Sequence, residues 1–101
     1  MARRPLPPTA DDAAALALGG LAFLAEDAER LARFLALTGI GPAALRAGAD
    51  APETHLAVLD YLLSDESLLL VFAAAKGLAP ETVVQARTAL ARSLGTEIAY
   101  D

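Results

Sequence analysis

His55 is the one histidine in the chain and the first residue to weigh for chemistry near neutral pH. Catalysis would need a partner within hydrogen-bond reach, and a metal site would need several converging ligands. The nearest acids, Glu53 and Asp60, stand at offsets that leave the helical face of His55, so neither use is expected. The absence of cysteine removes disulfides and thiolate metal sites and is compatible with the cytoplasm. No Ser, His and Asp set, no phosphate-binding glycine loop with lysine and no suggestively spaced carboxylate pair occurs. Asp65 and Glu66 read as a helix cap and a first-turn charge. The expectation is a protein that is not an enzyme and holds no cofactor or metal.

Anion binding is the next chemistry to consider. The stretch Leu37-Thr38-Gly39-Ile40-Gly41-Pro42-Ala43-Ala44-Leu45 resembles the hairpin of helix-hairpin-helix DNA-binding modules, whose turn presents backbone amides to a phosphate. In that reading Gly39, Ile40, Gly41 and Arg46 are the candidate phosphate contacts. The same region as a helix-turn-helix would offer Ala43, Ala44, Arg46 and Ala47 to a groove, a poor set for reading base edges. Capping accounts for the residues more simply: Gly39 stops one helix and Pro42 starts the next. Arg30 and Arg33 share a helical face, but Glu26 and Glu29 lie four residues before them, in the orientation that favours salt pairing, so a neutralised, solvated face is expected. A net charge of −5 opposes association with nucleic acid or anionic lipid.

Surface is the remaining resource. The run Leu68-Leu69-Leu70-Val71-Phe72 is apolar around most of a helix and must be buried on several sides or meet a partner. Leu68, Leu69, Val71 and Phe72 are therefore the candidate protein interface, for an unknown partner protein or for a second copy in a homodimer.

These residues are positioned by a chain that contains itself twice. Residues 21–48 match residues 59–86 at a constant offset of 38, with eight identities and no gap. Matches of leucine and alanine carry little weight in a chain that is 55% hydrophobic. Asp27 with Asp65, Phe34 with Phe72, Gly39 with Gly77 and Pro42 with Pro80 are the informative ones, because three of these four pairs punctuate helices. Upstream, Asp12 pairs with Asp50 and Leu18 with Leu56, giving units of about residues 10–47 and 48–85.

The alanine- and leucine-rich composition, with 5% aromatics, favours helix over strand. The predicted fold is all-α, a compact bundle of six short helices formed by two repeated three-helix units, within one domain spanning residues 9–95. Thr9 opens the first helix, which turns Leu18, Leu21 and Leu24 inward and lets a neighbour approach at Gly19 and Gly20. Asp27 caps the second, with Leu31, Phe34, Leu35 and Leu37 as its apolar set, and Pro42 starts the third. Pro52, Asp65 and Pro80 open the remaining three; Val83, Val84, Ala86, Leu90 and Leu94 line the inner face of the last, which ends before Gly95. Residues 1–8 are expected to be a disordered N-terminal tail and residues 96–101 a C-terminal tail.

The apolar run Ala13–Ala25 after Arg3 and Arg4 has the length of a signal-peptide core. Asp11 and Asp12, the lack of an A-x-A site and the place of its leucines in the repeat oppose export, and the run is too short to span a bilayer, which needs about 20 residues.

The segment from Phe23 through Glu26-Asp27-Ala28-Glu29-Arg30 to Gly39, with Leu45-Arg46, resembles the domain-of-unknown-function family 3572. Val58-Leu59-Asp60-Tyr61-Leu62-Leu63-Ser64-Asp65-Glu66 and Leu69-Leu70-Val71-Phe72 look like its second half. The resemblance implies a small alphaproteobacterial protein and transfers no functional residue.

Overall fold

Capping residues set the helix boundaries. In the computed structural model, which describes residues 6–98, the helices are α1 (Ala10–Ala25), α2 (Ala28–Thr38), α3 (Pro42–Ala47), α4 (Pro52–Leu63), α5 (Glu66–Lys76) and α6 (Pro80–Ile98). No strand occurs among the described residues. At α1 the Thr9 hydroxyl accepts from the Asp12 amide at 3.1 Å and the Asp12 carboxylate accepts from the Thr9 amide at 3.0 Å, a reciprocal capping box. The Asp27 carboxylate accepts from the amides of Glu29 and Arg30, and that of Asp65 accepts from the amide of Leu68. Gly39 and Gly77 close α2 and α5 in the left-handed region, at φ 76° and 67°. One expected boundary fails: α6 continues through Gly95 to Ile98. Of the expected tails, residues 1–5 and 99–101 lie outside the described residues.

Helices α1, α4 and α6 pack on one another and form the centre; α2 leans on α1, and α5 on α4 and α6. The inner stripe of α1 is Ala13, Ala17, Gly20 and Leu24, spaced three and four apart, so small side chains bring its neighbours close. At Gly20 a Cβ would stand 3.0 Å from both Leu62 Cδ1 and Val58 Cγ1 of α4. Phe34, Phe72, Leu24, Leu59, Leu62, Val58 and Val83 are the largest fully buried side chains.

Two aromatic contacts knit the layers. The Phe23 ring of α1 meets Phe72 of α5 with centroids 5.3 Å apart, and Phe34 of α2 meets Tyr61 of α4 edge-on, also at 5.3 Å. Both lie in the usual range for tilted or T-shaped rings.

Several core expectations are corrected. Leu18 and Val84 are exposed and Leu37 is 71% exposed, because each stands on the outer side of a helix that is covered along one stripe only. Helix α5 is not enclosed: it packs on α4 and α6 and meets α1 through Phe72, so only Phe72 and Ala73 are buried and Leu70 and Val71 remain 51% and 48% exposed. Helices α3 and α6, expected as equivalent third helices, differ: α3 has 6 residues and buries none, whereas α6 has 19 and supplies Val83, Ala86 and Leu90 to the core.

Candidate functional site

A cleft of ≈ 330 Å³ opens between the first turns of α2 and α5. The caps create it: Asp27 and Asp65 start the two helices at its ends, with carboxylates already engaged by backbone amides. Tyr61 of α4 forms its floor, 9% exposed and braced by the edge-to-face contact with Phe34. Glu29, Arg30 and Arg33 line the α2 wall, and Ser67, Leu68 and Val71 line the α5 wall.

The electrostatics of the α2 wall differ from the sequence expectation. Arg30 and Arg33 form no ion pair with Glu26 or Glu29; the ion pair among the described residues is Arg87–Asp60, between α6 and α4, at 2.7 Å. The Arg30 guanidinium instead lies over the face of Phe23, 4.6 Å from the ring centroid. The ring quadrupole attracts the cation there without neutralising it, so both arginines bring positive charge to the cleft. In the Arg87–Asp60 pair, the hydrogen bond to Asp60 and then its charge hold the Arg87 guanidinium pKa above its ordinary value.

The candidate interface residues separate. Leu68 and Val71 line the cleft, Leu68 half-buried against the core, whereas Leu70 is exposed outside the lining. Leu69 packs against the core, and Phe72 is fully buried, so Phe72 is not a surface residue. Helical geometry explains the split: Phe72 stands one residue beyond Val71, about 100° around the helix and toward α1. Arg30 and Arg33, read from the sequence as a neutralised, solvated face, line this cleft together with Tyr61, which no charge or motif singled out.

The turn at Gly39, Ile40 and Gly41 is spatially apart from this cleft and uses its own amides. Gly39 N–H donates to the Leu35 carbonyl at 2.9 Å and Ile40 N–H to the Thr38 hydroxyl at 3.3 Å. Arg46 is exposed on α3. His55 is 5% exposed, and its Nε2–H donates to the Ala49 carbonyl at 2.9 Å, which ties the α3–α4 connection to α4. Among the described residues no cluster of three His, Cys, Asp or Glu side chains could hold a metal, and no single helix is long and apolar enough to cross a membrane. A second, shallower groove of ≈ 200 Å³ lies where Pro7 and Pro8 meet the Val84 to Arg92 face of α6.

Comparison with known families places this architecture. The family model described as a protein of unknown function, DUF3572, matches residues 10–93. The chain belongs to that family. The match begins at the first residue of α1 and ends within α6, so it takes in the whole core and both walls of the cleft. No curated protein and no solved structure matches the chain.

Proposed function

We propose that this DUF3572 protein is a non-enzymatic interaction module of the cytoplasm that binds a partner protein on the face shared by α2 and α5. The observation that carries the reading is the half-exposed Val71 beside Leu68 on the α5 wall of a cleft whose α2 wall carries Arg30 and Arg33 without ion pairs, with Leu70 exposed next to Val71. Scattered exposed aliphatics are ordinary, but two neighbouring large ones beside a cleft mark a contact surface. A non-catalytic role is supported by His55, whose imidazole is buried and committed to a carbonyl away from the cleft. The nucleic-acid alternative draws less support, because the Gly39 and Ile40 amides are spent inside the turn and the six-residue α3 carries a single arginine.

The test is affinity capture from host lysate with and without nuclease, at low and moderate salt, using the wild-type protein and Val71→Glu. A partner protein retained after nuclease and salt treatment and lost with Val71→Glu is the expected result. Retention of nucleic acid alone, released by salt, would replace this reading with the phosphate-binding one. Capture that is indifferent to Val71→Glu would move the surface elsewhere.

A further inference from the structure

We infer that the two halves of the chain meet across an internal twofold relation, and that residues 39–48 are a hinge through which two copies exchange halves to form a closed dimer. The partner is a second copy of this chain. The surface it fits is the one already buried between α1 and α2 on one side and α4 to α6 on the other.

The contacts between the halves come in exchangeable pairs. Phe23 and Tyr61 are 38 residues apart, as are Phe34 and Phe72. The observed contacts are Phe23 with Phe72 and Phe34 with Tyr61, so replacing each residue by its counterpart turns one contact into the other. Gly20 and Val58 are also 38 apart, and they approach each other where α1 meets α4. In the cleft, Asp27, Arg30 and Arg33 of one wall have Asp65, Leu68 and Val71 of the other as their counterparts in the same register. A surface that meets its own equivalent in this way is isologous, the form by which two identical subunits join.

The connection between the halves carries little of the core. Helix α3 has 6 residues and buries none of them, and Ile40 and Leu45 are only partly buried at the core's edge. Gly39 turns the chain away from α2 at φ 76°, and the bond from His55 Nε2–H to the Ala49 carbonyl ties the far end of the connection to α4. Opening is thereby confined to residues 39–48. Every contact between the halves can then form within one chain or between two, and the hinge decides which. A side chain at position 39 penalises the turned, left-handed state and not the opened one. Gly77 is the matched control: it is the counterpart of Gly39 and holds φ 67°, but it joins α5 to α6 inside one half.

The experiment is gel filtration with light scattering over a concentration series, on wild type, Gly39→Ala and Gly77→Ala refolded from urea, with circular dichroism to follow helical content. Gly39→Ala should raise the dimerisation constant at least about thirtyfold, because each exchanged dimer relieves two strained positions. Gly77→Ala should leave it unchanged. The dimer should also survive the surface change Val71→Glu and persist on dilution, since separating it requires the halves to come apart. If Gly39→Ala does not refold, Gly39→Ala with Gly41→Ala and Pro42→Ala takes its place; it joins α2 and α3 into one helix about 30 Å long that cannot turn back within a chain, and it should be wholly dimeric. A hinge variant that stays monomeric at every concentration would overturn the exchange, as would equal dimerisation by Gly77→Ala. A dimer lost on dilution or with Val71→Glu is a surface association and would overturn it too.

Discussion

Gly19 and Gly20 are adjacent in α1, yet adding one methyl group to each should have opposite effects. Both sit inside a helix, where alanine is favoured over glycine by about 0.8–1.0 kcal/mol, so the propensity gain is common to the two variants. At Gly19 the new Cβ would meet only Lys76 Cε, at 3.7 Å, an ordinary contact with a flexible chain. Gly19→Ala should therefore stabilise by about 0.5–1 kcal/mol. At Gly20 it would stand 3.0 Å from Leu62 Cδ1 and Val58 Cγ1, both on fully buried side chains. Val58 is β-branched and helical, so its rotamer has little freedom to yield. Overpacking of this kind costs about 1–3 kcal/mol, which leaves Gly20→Ala about 1 kcal/mol less stable than wild type. Urea unfolding followed by circular dichroism measures both, and thermal melts should separate the variants by several degrees. If Gly20→Ala matches or exceeds Gly19→Ala in stability, α1 and α4 do not cross as closely as described and the tight approach of Gly20 to Val58 and Leu62 is refuted.

Phe34→Ala and Phe72→Ala should each cost about 3–5 kcal/mol, while Leu37→Ala stays within about 0.5 kcal/mol, since the two phenylalanines are fully buried and Leu37 is 71% exposed; comparable losses from Leu37→Ala in denaturant titrations would contradict that burial. Gly39→Ala and Gly77→Ala force a Cβ into the left-handed region and should destabilise by about 1–2 kcal/mol, whereas Gly95→Ala, helical with nothing within 4 Å, should stabilise; their melting temperatures should move in opposite directions. His55→Ala removes a buried donor from the Ala49 carbonyl and should cost about 1–3 kcal/mol, with faster amide exchange at the start of α4 as the accompanying signature. A double-mutant cycle on Asp60 and Arg87 should give less than about 1 kcal/mol, reduced by salt, because the pair is exposed at the surface. Because the Arg87 pKa is raised, this small contribution is fully present below the ordinary arginine value and is lost only as pH climbs through the raised one, so stability near neutral pH should not change through that pair.

The local reading succeeded where one residue type dictates one backbone state. Thr9, Asp27 and Asp65 supply side-chain acceptors to first-turn amides, and Gly39 and Gly77 occupy a region that other residues enter at a cost. Gly95 misled for the same reason in reverse: glycine permits a helix end but does not impose one, and here the helix runs on. The charge pattern misled as well. Glu26 and Glu29 stand at the spacing for pairing with Arg30 and Arg33, but such pairs are worth only a few tenths of a kcal/mol, and Phe23 offers Arg30 an alternative.

Helix content, cap positions and membership of the family were determined by the sequence alone, because each depends on neighbours within a turn or on a pattern that runs along the chain; of the two adjacent glycines, only Gly20 takes a close neighbour. Which side of each helix is covered depended on the tertiary structure. Leu69 and Phe72 face inward while Leu70 and Val71 do not, because α5 has neighbours on one side only. The cleft belongs wholly to that second category. Its walls are 38 residues apart in sequence, and only the crossing of α1 over α4 at Gly20 sets Arg30 and Arg33 facing Leu68 and Val71.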